Sequence, residues 1–192
     1  MEARANETDI LLRYSQASAV ERVEIMLDNF HYFPKMVHRQ EKKTEYKIKA
    51  EREFLRSHNR ADLGVRVQSS KINDSTAEEA IANVMLEEAF KTGDISDGIL
   101  RDMENAEEYE RQIRIISIMK MDYDLLSDLV GDLDDLDNQI LSLFLVKKMY
   151  IKEIAAETGM SYDYTKRRIK TLKEELTLEV AECIQINCGE VM

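Results

Sequence analysis

The sequence predicts an all-α protein: an N-terminal helical hairpin, a linker, then a helical domain that ends in a helix-turn-helix. Three observations predict it. One Pro and six Gly among 192 residues supply too few turn residues for an all-β fold. Glu, Lys, Leu, Ala, Ile and Met, which favour helix, are abundant. Apolar residues recur at three- and four-residue steps along most of the chain.

The elements follow in order. Residues 7–32 read as helix with a break near Ser18, and Val20, Val23, Met26, Leu27 and Phe30 form its apolar stripe. Pro34 ends this helix or opens the next. Residues 34–57 read as a polar helix, either well solvated or part of a mobile hairpin with the first. The Gly, Ser and Asn content of residues 58–74 then reads as a linker. Ser75 with Glu78, or Thr76 with Glu79, fits a capping box, so a helix is expected from there to Thr92, with Gly93 as its stop. A second capped start at Asp94 or Ser96 leads to a helix expected over Ile99 to about Met121, with Ile113, Ile116 and Met119 inward. Leu125, Leu126, Leu129 and Val130 suggest a separate short amphipathic piece. The resulting segments are 1–57, 58–74 (linker), 75–131 (acidic), 132–186 (helix-turn-helix domain) and 187–192 (tail).

Composition narrows the function. Hydrophobic residues make up 44% and charged residues 34%, and no apolar run approaches the roughly 18 residues of a membrane span. Met1-Glu2-Ala3-Arg4 lacks the apolar segment of a secretory signal, and two cysteines are too few for a disulfide framework, so a cytoplasmic location is expected. His31, His38 and His58 show no metal-ligand spacing, and Cys183 and Cys188 are oddly spaced for zinc. No nucleophile–base arrangement and no Gly-rich phosphate loop stands out. Neither an enzyme nor a cofactor nor a metal is expected.

Net charge is −11, which argues against a nucleic-acid partner until it is resolved along the chain. Residues 35–71 carry 11 basic and 5 acidic side chains, and residues 147–173 carry 8 and 3. Between them, residues 72–137 carry 5 basic and 19 acidic side chains. Salt screens fields beyond roughly 8 Å, so a local basic patch governs phosphate binding more than the total does. In the block 35–71, acids interleave at helical spacing, which reads as a salt-laced exposed helix rather than a second nucleic-acid surface.

The second block carries the information. Ile151-Lys152-Glu153-Ile154-Ala155-Ala156-Glu157-Thr158-Gly159-Met160-Ser161 has the order of a helix-turn-helix. Ile154 would pack inward, Ala155 would allow two helices to cross closely, and Gly159 would take the left-handed conformation of the turn. Ser161 would cap a second helix whose inward stripe is Thr165, Ile169, Leu172 and Leu176. Tyr162, Asp163, Lys166, Arg167 and Lys170 then point away from the core, where a recognition helix meets base edges. Lys166 and Arg167 suit guanine, and Asp163 suits cytosine N4. Tyr150, Lys152, Arg168 and Lys173 are read as phosphate contacts. The later stripe Leu172, Leu176, Val180 and Ile184 would pack on the N-terminal helices or form a dimer seam.

At these residues, 133–176, the chain resembles region 4 of bacterial sigma-70-type factors, in the texture of Asp137-x-x-Ile140-Leu141 followed by Lys152-Glu153-Ile154-Ala155-Ala156 through Ser161. It is similar still to phage and prophage late-gene activators of the ArpU/RinA type, including across Ala61–Gln68 and Asp74–Ile81. Thr165 and Arg168 depart from the usual aliphatic residues, and no region 2 is evident. The resemblance implies a sequence-specific transcription regulator whose partner is double-stranded DNA. It also implies contact with RNA polymerase, for which Phe144 and Leu145 are the candidate surface. A second copy of the chain is a further candidate partner. The competing readings are a small terminase-type packaging protein and a polymerase-binding adaptor that does not bind DNA.

Overall fold

A computed structural model describes residues 10–61, 75–95 and 98–189. Among them every regular element is helical: α1 (Ile10–Gln16), α2 (Ala19–Asp28), α3 (Phe33–Ala61), α4 (Ser75–Thr92), α5 (Ala106–Gly131), α6 (Asp135–Leu141), a π-helical turn (Ser142–Val146), α7 (Ile151–Thr158) and α8 (Tyr162–Gly189). The all-α class is as the sequence predicts. No helix among the described residues is long and apolar enough to cross a membrane.

The chain forms two compact units. One comprises residues 1–36 with 119–192, the other residues 37–118. In the first, α2 and α8 bury their apolar stripes against each other: Val23, Met26 and Leu27 from one, Leu172, Leu176, Val180 and Ile184 from the other. Removing these side chains from water is the main stabilising term, about 1.5–3 kcal/mol for each large aliphatic one. The stripe on α8 is therefore used within the chain, on α2. The expected break near Ser18 is present, and its cause is a capping box. Glu21 N–H donates to Ser18 Oγ at 3.3 Å, and Ser18 N–H donates to the Glu21 carboxylate at 2.7 Å. Tyr14 anchors α1 by donating to the buried Asp122 carboxylate at 2.8 Å, with Arg22 3.9 Å away.

In the second unit α3 turns Val37, Gln40, Thr44 and Ile48 inward, at the steps of one helix face. Thr44 Oγ1 donates to the Gln112 side chain on α5 at 2.9 Å. Helix α3 runs to Ala61, four residues into the stretch read as linker, whose remainder, 62–74, lies outside the described residues. The Ser75 and Thr76 capping side chains also lie outside them. Helix α4 ends where expected, at Gly93 with φ +79°; a Cβ there would also meet Ser117 Oγ at 3.1 Å.

The helix expected over Ile99–Met121 is corrected. Residues 98–102 form turns, α5 begins only at Ala106, and it continues through Leu125–Val130 to Gly131 without a separate piece. The cause is a cap supplied from outside the segment. Glu51 Oε1 on α3 accepts the backbone N–H groups of Glu104 (2.6 Å) and Asn105 (3.3 Å), fixing the start of α5. Its other oxygen accepts the Tyr109 hydroxyl at 2.7 Å.

Candidate nucleic-acid interface

The region built from α6, the π-helical turn, α7 and the first turns of α8 contains the predicted site residues. It is held by a small core of Ile140, Leu143, Ile154 and Ile169, with Leu136, Phe144, Met149 and Ile151 packed against it. Helix α7 is capped at Tyr150, just before its first residue, where the Tyr150 backbone N–H donates to the Glu153 carboxylate at 3.0 Å. It stops at Gly159 (φ +71°, ψ 15°), the left-handed conformation that costs a residue with a Cβ about 1–2 kcal/mol. Met160 N–H returns to the Ala155 carbonyl at 3.0 Å and closes the turn. Ser161 Oγ then accepts the Tyr164 N–H at 3.3 Å and caps α8.

Thr165 departs from an aliphatic residue without leaving a polar atom stranded. It is fully buried, and its hydroxyl donates to the Ser161 carbonyl at 3.0 Å, so its methyl faces the core while its oxygen is satisfied locally. Ile169, Leu172 and Leu176 continue the buried stripe, and Ala155 is buried at the α7–α8 crossing.

That packing fixes the opposite face. Ser161, Tyr162, Asp163, Lys166, Arg167 and Lys170 are all exposed. Tyr150 and Lys152, at the start of α7, are exposed as well. Among the described residues Lys152, Lys166 and Arg167 have no ion-pair partner, whereas Lys170 lies 3.5 Å from Glu174 on its own helix. An uncommitted cation is the kind that can meet a phosphate or a base without first breaking a contact.

Two predicted residues are committed elsewhere. The Arg168 guanidinium clamps Asp137 of α6 with both arms, Nε donating to Oδ1 at 2.8 Å and a terminal nitrogen to Oδ2. This pair holds the Asp137 carboxyl below its usual range and raises the Arg168 pKa, chiefly through the hydrogen bonds. Arg168 thus ties α8 to α6. Lys173 lies 3.5 Å from Asp28 at the end of α2, and Lys148 donates to the Asp28 carbonyl at 3.1 Å.

The Phe144–Leu145 surface is corrected: Leu145 is buried, and Phe144 packs on the small core. Leu145 follows the buried Leu141 by four residues, so helical spacing itself places it inward. Sequence reasoning also left out Lys147 and Tyr164, both exposed beside the predicted set. Their membership in the same basic block and the same first turns of α8 was the available signal. Among the described residues no group of three or more His, Cys, Asp or Glu could hold a metal ion. No protein-family model, no curated protein and no solved structure matches the chain.

Proposed function

We propose that this chain is a sequence-specific DNA-binding transcription regulator, with α8 as its recognition helix. One observation carries the reading: burial of Thr165, Ile169 and Leu172 turns Tyr162, Asp163, Lys166, Arg167 and Lys170 outward together behind a Gly159 turn. The N-terminal turns of a helix so presented suit a major groove about 12 Å wide. Lys166 and Arg167 would donate to guanine edges, and Asp163 would accept from cytosine. Lys152, Tyr150 and Lys147 would meet phosphates. Arg168 serves as the α6–α8 tie, and Lys173 meets phosphate only by leaving Asp28. The resemblance to region 4 of sigma-70-type factors and to ArpU/RinA-type activators extends the reading to late-gene activation in a phage or prophage, with RNA polymerase as a second partner.

The test is the salt dependence of binding to upstream regions of the source genome, for the wild type and for Lys166→Ala/Arg167→Ala. A log–log slope of about −3 to −6 is expected for the wild type, at about 0.9 per phosphate contact. The double variant should lose at least about tenfold in affinity for preferred fragments, since each good base contact is worth about 1–3 kcal/mol. Equal binding of all fragments by both proteins would remove the sequence-specific reading. Absence of DNA binding with retained polymerase binding would favour the adaptor.

A further inference from the structure

Three acids of the first basic block, Glu41, Glu45 and Glu51, are drawn off the exposed face of α3. Glu41 and Glu45 lie on the flank, with side chains only 19% and 16% exposed, and Glu51 is drawn towards the start of α5. Glu45 bridges Lys42 and Lys49, at 2.7 and 2.6 Å. The outward face therefore carries Arg39, Lys42, Lys43, Lys47 and Lys49 around Tyr46, which is 74% exposed. Glu53 is exposed only beyond the last of these lysines. Lys43 and Lys47, one helical turn apart, have no ion-pair partner among the described residues. The spacing that reads as salt-laced in sequence does lace Lys42 and Lys49 through Glu45, and it leaves Lys43 and Lys47 outside that lacing.

We propose that this face of α3 is a second DNA contact, one that binds the duplex phosphate backbone without reading its sequence. From Arg39 to Lys49 the cations cover about 15 Å of helix axis, the rise of roughly four base pairs. Tyr46 stands among them with a hydroxyl that can donate to a phosphate oxygen. A protein partner is disfavoured by the composition, because lysine is depleted from protein interfaces while apolar groups fill their centres. Tyr46 and Ala50 are the uncharged residues within this patch. This surface belongs to residues 37–118 and stands whether or not α8 reads bases.

The experiment compares the full chain with Lys43→Gln/Lys47→Gln, with Lys166→Ala/Arg167→Ala, and with all four changes combined. The probes are a labelled duplex of arbitrary sequence, one strand of that duplex, and phosphatidylserine vesicles. The α3 variant should bind the arbitrary duplex at least about tenfold more weakly at low salt, with a slope smaller by about 1.8. Circular dichroism and Tm should stay unchanged, because both lysines are exposed and unpaired. The α8 variant should keep most of its affinity for the arbitrary duplex, and the combined variant should lose it. Unchanged duplex binding in the α3 variant overturns the proposal, as does complete loss in the α8 variant alone. An effect confined to the single strand, to vesicles or to self-association of the chain assigns this face to a different occupant and equally overturns it.

Discussion

Helices α3 and α8 are nearly equal in length, 29 and 28 residues, and both carry runs of lysine and arginine, yet they present their charge differently. In α8 the free cations crowd the first turns, directly behind a Gly159 turn and a Ser161 cap. Farther along, α8 becomes acidic outside and apolar inside, and packs on α2. In α3 the cations spread along the middle of the helix, and two of the acids that accompany them in sequence are engaged elsewhere, Glu45 on a flank and Glu51 on the cap of α5. The comparison teaches that a block's net charge says little about its use. What matters is which residues the buried face leaves outside, and whether they sit at a helix end that can enter a groove or along a side that can only lie against a backbone.

The comparison can be broken most forcefully at the tie that orients α8. Asp137→Ala leaves Arg168 only the exposed Glu175, 3.9 Å away, and should cost about 2–3 kcal/mol, below the usual range for a fully buried pair because Arg168 is 30% exposed. Urea denaturation measures this, and Asp137→Ala/Arg168→Met should recover much of it. Fragment preference should fall with the single change, while backbone binding through α3 survives. Because the Asp137 carboxyl is held low, its contribution is complete above the unfolded value of about 3.9 and disappears as pH falls through the folded value. Wild type and Asp137→Ala should therefore converge in acid.

Two smaller changes sharpen the contrast from each side. Gly159→Ala should cost about 1–2 kcal/mol, and a Cβ there meets nothing within 4 Å, so the penalty is backbone strain alone. Asn, which tolerates that conformation, should cost less, and both should disturb fragment preference before arbitrary binding. On the α3 side, Glu51→Gln should cost about 1 kcal/mol through the weakened cap of α5. Its signature is spectroscopic. Burial, then Glu51, pushes the Tyr109 hydroxyl up to about 12. In the variant Tyr109 should titrate lower, though still above 10, when followed by phenolate absorbance.

The helical class, the break at Ser18, the stop at Gly93 and the order of α7, turn and α8 were legible because each depends on residues within a few positions. The face of α8 was legible for the same reason, through the spacing of Thr165, Ile169 and Leu172. What escaped depended on distant partners. The start of α5 is set by Glu51, which lies 53 residues before Glu104. Arg168 read as a phosphate contact because Asp137, 31 residues away, could not be placed beside it. Leu145 read as surface only through the resemblance, against its four-residue spacing from the buried Leu141. The salt-laced reading of α3 describes Lys42 and Lys49, bridged by Glu45, but not Lys43 and Lys47, which have no ion-pair partner among the described residues.

On the function proposed above, the first turns of α8 read DNA. Selection of preferred sequences from a random duplex pool tests it most directly, with wild type and Lys166→Ala/Arg167→Ala run side by side at one salt concentration. A defined site should be enriched by the wild type and lost in the variant, with Tm unchanged within a degree or two because both side chains are exposed and, among the described residues, unpaired. The same enriched site from both proteins would contradict it.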